Sequence, residues 1–174
     1  FAHTAAYDAA IANYLARFDD EGRALAPDVL PDSLFVAGHA TGELRYGENP
    51  HQPARFYRTE LAASEPAGLH RAVQHQGKAL SYNNLLDADA ALGLVRDLGR
   101  LGSAAAVIKH VSPCGAAIGG PSEALADVYL RAREADAESA FGGIVALSRP
   151  VDRATVERLA ETFLEVVIAP GFSD

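Results

Sequence analysis

The spacing of hydrophobic residues along the chain changes repeatedly between that of helices and that of strands. From residue 84 onward it predicts helix, strand, helix, strand, helix and strand, in that order. This alternation is typical of an α/β domain in which helices cover a largely parallel sheet. We therefore predict a layered α/β/α fold with a mostly parallel sheet.

The N-terminal part has a less regular pattern. Residues 4–19 place apolar side chains at helical spacing, which predicts an amphipathic helix. Residues 19–32 combine charges with a glycine and two prolines, which is typical of a connector. We expect a helix and connector over residues 1–32 and one α/β subdomain over residues 33–174. The short strand candidates in this part of the chain are residues 34–37, 54–57 and 72–75.

The most apolar strand candidate ends in two polar residues. Residues 104–108 form a continuous apolar run, Lys109 and His110 follow directly, and a turn with proline and glycine is predicted at 113–115. Ligands of open α/β sheets bind where strands end, so Lys109 and His110 are the first candidates for a functional site. Two solvated side chains at the exit of a buried strand would give the same pattern.

Three other segments combine turn formers with groups that can bind a ligand. Arg45 and Tyr46 lie in a loop with two prolines, where a guanidinium can hold phosphate through two parallel hydrogen bonds. Asn84 stands at the start of a predicted helix, and Gly142 belongs to a glycine pair before a strand. A surface turn, a helix cap and a tight turn explain these segments equally well.

Composition narrows the possible functions. The 174 residues are 49% hydrophobic, enough for a core. A net charge of -8 argues against broad binding of nucleic acid or anionic membranes. No apolar run approaches the ~18 residues that span a bilayer, no signal peptide opens the chain, and there is one cysteine. We expect a soluble protein of the reducing cytoplasm.

The chain lacks the sequence motifs of several common classes of site. The chain has no phosphate-binding P-loop and no dinucleotide fingerprint. A zinc deaminase needs a second cysteine three residues after Cys114, where Ala117 stands, so we expect no metal. Cys114 could act as a nucleophile with His110 as its base, or it could be a small packing residue.

Four motifs in a fixed order resemble one enzyme family. The chain is similar to the bifunctional purine-biosynthesis enzymes that combine aminoimidazole carboxamide ribonucleotide (AICAR) transformylase with IMP cyclohydrolase. The resemblance covers nearly the whole chain. The motifs are residues 45–52 (RYGENPHQ), 80–87 (LSYNNLLD), 108–115 (IKHVSPCG) and 139–146 (SAFGGIVA).

The resemblance implies a reaction, a fold and partners. In this family 10-formyltetrahydrofolate donates its formyl group to the 5-amino group of AICAR, and a separate N-terminal domain closes the ring to IMP. The transformylase half consists of two subdomains that look like cytidine deaminases without zinc. It implies a cytoplasmic homodimer whose ligands are AICAR and folate, and a site completed by the second subdomain across the dimer interface.

The resemblance also implies residue roles. His110 would help to remove a proton from the weakly nucleophilic amine, and Lys109 would stabilise negative charge on the formyl oxygen or tune the histidine. Arg45 and Tyr46 would hold the nucleotide. The other implied substrate-binding residues are Asn84, Gly142 and Glu165.

The chain begins with Phe1 and contains no methionine, so we expect a piece of a longer protein. Alone, it would have no cyclohydrolase activity and little or no transformylase activity. Two alternatives remain: a nucleotide-binding fragment without autonomous catalysis, and a structural fragment with no role of its own.

Overall fold

The computed structural model describes residues 1–59 and 68–173, and the chain divides into two compact units. All seven candidate site residues belong to the second unit. The first unit is Phe1–Glu43 with Arg55–His70, and the second is Leu44–Ala54 with Arg71–Asp174.

The first unit contains a helix and a two-stranded sheet. Helix α1 spans Ala2–Leu15, and none of its residues is buried. Strands β1 (Gly38–Glu43) and β2 (Arg55–Thr59) pair antiparallel. The predicted strand at residues 34–37 is wrong, because the Asn13 side chain accepts from the amide of Phe35 and donates to its carbonyl. These two bonds occupy the backbone groups that a partner strand would need.

The second unit is built on a mixed four-stranded sheet with the spatial order β4-β3-β5-β6. Strand β3 is antiparallel to β4 and to β5, whereas β5 and β6 are parallel. The prediction of a mostly parallel sheet is therefore wrong. The strands are β3 (Ser103–Lys109), β4 (Ser112–Gly119), β5 (Ile144–Leu147) and β6 (Val166–Ile168).

The sheet differs from the prediction because the chain reverses earlier than expected. The predicted turn at residues 113–115 lies inside β4, and the reversal takes place at His110 and Val111. Strand β4 is at the edge of the sheet, where Pro113 is tolerated because an edge position does not require a second ladder of hydrogen bonds. Strands β3 and β4 thus form a hairpin instead of a helical crossover.

Helices lie on both faces of this sheet. Ala105 and Val107 of β3 pack in a core cluster with residues of α3. The alternate residues of β3, such as Ala106, are buried on the opposite face of the sheet. Helix α2 also contacts β3. The structure therefore confirms the α/β class. The helices of the described second unit are α2 (Tyr82–Leu98), α3 (Leu125–Glu134), α4 (Ala137–Ala140) and α5 (Arg153–Leu159).

Local hydrogen bonds explain where two of the predicted helices begin. Ser81 caps α2 by accepting from the Asn84 amide, and the Asn84 side chain accepts from the Ser81 amide in return. Asp152 caps α5 by accepting from the amide and the hydroxyl of Thr155. The capping box at Ser81 places the start of α2 at the candidate site.

Candidate active site

The turn of the β3–β4 hairpin carries the candidate catalytic pair. Lys109 pairs with Ser112, so His110 and Val111 form a two-residue loop. Their φ angles are 54° and 62°, both in the left-handed region. Positive φ at both positions matches the twist of a tight hairpin, but a β-branched residue such as valine rarely adopts it. The exposed His110 side chain therefore sits on a strained loop.

Asp87 of helix α2 holds this loop through both of its backbone amides. The Val111 amide donates to Asp87 Oδ1 at 2.6 Å, and the His110 amide donates to Oδ2 at 3.2 Å. Asp87 was not among the predicted site residues. A signal was present, since Asp87 ends the second motif and lies three residues beyond Asn84, on the same face of α2.

Lys109 is placed beside the glycine pair that precedes β5. Its Nζ donates to the carbonyl oxygen of Phe141 at 2.8 Å. The next residue, Gly142, has a φ of 73°, and its amide donates to the carbonyl of Phe163. This left-handed conformation is a sufficient reason for glycine at position 142. The structure thus brings Lys109 and Gly142 together.

Asn84 and Glu165 form a hydrogen-bonded pair at the start of α2. Asn84 Nδ2 donates to Glu165 Oε2 at 2.6 Å, and Asn84 is only 8% exposed. The Glu165 amide donates to the carbonyl of Gly143, which ties this pair to the glycine segment. Asn84 is therefore a cap partner and also a candidate site residue. Glu165 is exposed, so its carboxylate is accessible to a ligand.

Backbone hydrogen bonds attach Arg45 and Tyr46 to the same end of α2. The Arg45 amide donates to the carbonyl of Leu80, and the Tyr82 amide donates to the carbonyl of Tyr46. The Arg45 guanidinium lies over the Tyr46 ring, with Cζ 4.9 Å from the centroid, and Nη2 donates to the hydroxyl at 3.2 Å. The loop that carries Arg45 and Tyr46 is thus fixed to the start of α2.

The N-terminal half of α2 is the common element of the candidate site. Its first residue, Tyr82, is bonded to the backbone of Tyr46, and Leu80 just before the helix is bonded to Arg45. Its Asn84 is bonded to Glu165 and its Asp87 to the His110 loop. Within the described residues, no side-chain hydrogen bond joins Arg45 or Tyr46 directly to Lys109 or His110. The arrangement offers a guanidinium, an ammonium, an imidazole and a carboxylate, which suit an anionic ligand that carries an amine.

Two further findings concern metal ions and membranes. Among residues 1–59 and 68–173, no group of three His, Cys, Asp or Glu side chains is arranged to bind a metal ion. In the same described part of the chain, no helix is both long and apolar enough to cross a membrane.

Cys114 packs beside the core, and its thiol is expected to react slowly. Burial is the main cause that raises the pKa of the Cys114 thiol, and the charge of Asp136 adds to this effect. Less thiolate is therefore present at neutral pH than for an ordinary cysteine. We expect the rate at which Cys114 reacts with Ellman's reagent to rise with pH. In the folded chain this rise should continue above the pH at which the rate for the urea-unfolded chain becomes constant. A profile equal to that of the unfolded chain would contradict the raised pKa, and a profile that levels off at a lower pH would support a reactive nucleophile.

Comparison with known proteins gives a consistent set of matches. The family model described as "AICARFT/IMPCHase bienzyme" matches residues 1–174. The bifunctional purine biosynthesis protein PurH of Myxococcus xanthus is 51% identical over 173 residues, which cover 99% of this chain and 31% of that protein. PurH of Sorangium cellulosum is 49% identical over 175 residues, covering 99% of this chain and 33% of that protein. The chain therefore spans about a third of the length of the curated relatives it matches.

Proposed function

Because the chain belongs to the AICARFT/IMPCHase bienzyme family, we propose that it supplies the first transformylase subdomain of a bifunctional purine-biosynthesis enzyme. The proposed reaction transfers a formyl group from 10-formyltetrahydrofolate to the 5-amino group of AICAR. The proposed parent enzyme is a cytoplasmic homodimer that also closes the product to IMP. Residues 1–32 would belong to the connection with the cyclohydrolase domain.

The observation that carries this proposal is the set of hydrogen bonds around the start of α2. They connect Arg45 to Leu80 and Tyr46 to Tyr82 at the start of α2. Within α2, Asn84 is bonded to Glu165, and Asp87 is bonded to the loop of His110. A nucleotide needs a cation for its phosphate and acceptors for its amino groups, and Arg45 and Glu165 provide these types of group. The arrangement supports the proposed substrate class.

The chemistry of the reaction explains the need for Lys109 and His110. The amine of AICAR is conjugated with a carboxamide, so its lone pair is a weak nucleophile. In the proposed step this nitrogen attacks the formyl carbon, His110 accepts the amine proton, and the bond from the formyl carbon to folate N10 breaks while N10 takes up a proton. Lys109 would stabilise the negative charge that develops on the formyl oxygen.

The finer fold assignment is also a proposal. A mixed sheet whose strand β3 is antiparallel to both neighbours, with helices on both faces, supports a cytidine-deaminase-like subdomain. We propose that the subdomain works without zinc and needs no metal for the transfer.

The proposal can be tested in a chimera in which residues 1–174 replace the matching segment of Myxococcus xanthus PurH. We expect the chimera to formylate AICAR with 10-formyltetrahydrofolate, measured by the absorbance of released tetrahydrofolate.

We expect the isolated chain to bind AICAR in a calorimeter with little or no turnover, because it spans about a third of the length of its relatives. In the isolated chain, Arg45→Ala should weaken the binding of AICAR by about tenfold or by a larger factor.

These two measurements also separate the alternatives. Binding by the isolated chain together with an inactive chimera would favour a nucleotide-binding segment without catalysis. Absence of AICAR binding and of turnover in both proteins would contradict the proposed function.

A further inference from the structure

We propose that Asp87 is a positioning residue that holds the His110 imidazole in place for formyl transfer. This inference rests on the proposed function of His110. Asp87 would not contact the substrate. It would act through the backbone of the loop, since its two carboxylate oxygens accept from the amides of His110 and Val111 at 3.2 Å and 2.6 Å.

The loop needs an external restraint because its own conformation is unfavourable. Both central residues have left-handed φ angles, and neither is glycine. Such conformations persist only where the surrounding structure stabilises them. A carboxylate that accepts from two successive amides provides charge-assisted hydrogen bonds, which are stronger than bonds between neutral groups.

Packing contributes little to holding the loop. Val111 is 53% exposed, and His110, Ser112 and Pro113 are exposed as well. Lys109 has its own attachment through the carbonyl of Phe141, at the end of α4. The bonds to Asp87 are therefore the main restraint on the position of His110.

The position of Asp87 on α2 explains why this restraint matters for the site. Asp87 lies three residues beyond Asn84, which is bonded to Glu165. Both side chains project from one face of a single helix. The same rigid element thus sets the distance between the imidazole and the carboxylate proposed to bind substrate. A displacement of about 1 Å in a catalytic group can cost roughly 10²-fold in rate.

Kinetics of the chimera test this inference. We expect Asp87→Ala to lower kcat by about 10²-fold with the KM for AICAR changed less than about threefold. Asp87→Asn retains one acceptor oxygen and should have a smaller effect. Asp89→Asn, an exposed change on the same helix, is the matched control and should leave kcat unchanged.

A double-mutant cycle distinguishes positioning of His110 from general damage. If Asp87 acts through His110, adding Asp87→Ala to a His110→Ala chimera should lower kcat by less than about threefold. An equal loss in both backgrounds would show a general structural role and would overturn the inference. If His110→Ala itself leaves kcat unchanged, the proposed function of His110 fails instead.

Amide exchange in the isolated chain provides a test that does not depend on turnover. We expect the amides of His110 and Val111 to exchange faster in Asp87→Ala, while amides of β3 keep their protection. Unchanged exchange at both residues would overturn the inference even if the chimera were inactive.

Discussion

Replacing His110 or Lys109 by alanine in the chimera should reduce kcat for formyl transfer by about 10²-fold to 10⁴-fold. The loss follows from the reaction, because the conjugated amine must lose a proton and the formyl oxygen must carry developing charge. Both side chains stand at the end of β3, with Lys109 bonded to the carbonyl of Phe141. Initial rates at saturating AICAR and folate measure the effect.

The chain offers a matched control for each substitution. Lys78 is the only other lysine in the sequence and is exposed, and His3 is an exposed histidine of α1. We expect Lys78→Ala and His3→Ala to keep kcat within about twofold of the parent chimera, as is usual for surface changes. Losses of the same size in the controls would remove the case for a special role of Lys109 and His110.

Gly115→Ala should produce the largest loss of stability among glycine-to-alanine substitutions in the described part of the second unit. A methyl group at this position of β4 would overlap the carbonyl oxygen of Ala132 and lie 2.7 Å from Cβ of Ala135. Neither atom belongs to a flexible side chain that could move away, so strand and helix must separate. We expect a loss of about 3 kcal/mol, at the upper end of overpacking effects, measured by urea denaturation.

Gly93→Ala is the matched control for this substitution. Gly93 lies inside helix α2, and no atom would come within 4 Å of an added methyl group. Alanine there should increase the free energy of unfolding by about 0.5–1 kcal/mol, because glycine loses more backbone entropy in a helix. Equal urea midpoints for the two variants would contradict the close approach of β4 to α3.

Local sequence was sufficient to predict several parts of the site. The apolar run before Lys109 predicted a buried strand, and residues 104–108 are indeed at most 1% exposed. The polar residues at 81–84 predicted the start of a helix. The structure places the cap at Ser81, with Asn84 as its partner in a capping box, and such a box is formed by residues close in the chain. The four motifs also indicated the family, which the match over residues 1–174 confirms.

The hairpin at His110 could not be predicted in this way. Its sequence places a histidine and a valine at positions where hairpin turns usually have asparagine or glycine. The compensating group, Asp87, lies on another element 23 residues earlier in the chain. Turn propensities depend only on residues that are close in the sequence. They therefore favoured a later turn at Pro113 and Gly115, which lie in β4.

The sequence by itself determined the α/β class, the family and the identity of the polar residues at the strand and helix ends, because these depend on spacing and local hydrogen bonding. Only the tertiary structure decided the direction of β3 and the position of its polar end. Both depend on bonds between distant segments, chiefly those from Asp87 to the loop and from Asn84 to Glu165. Such bonds require α2 to be packed against the sheet, which no single stretch of sequence can specify.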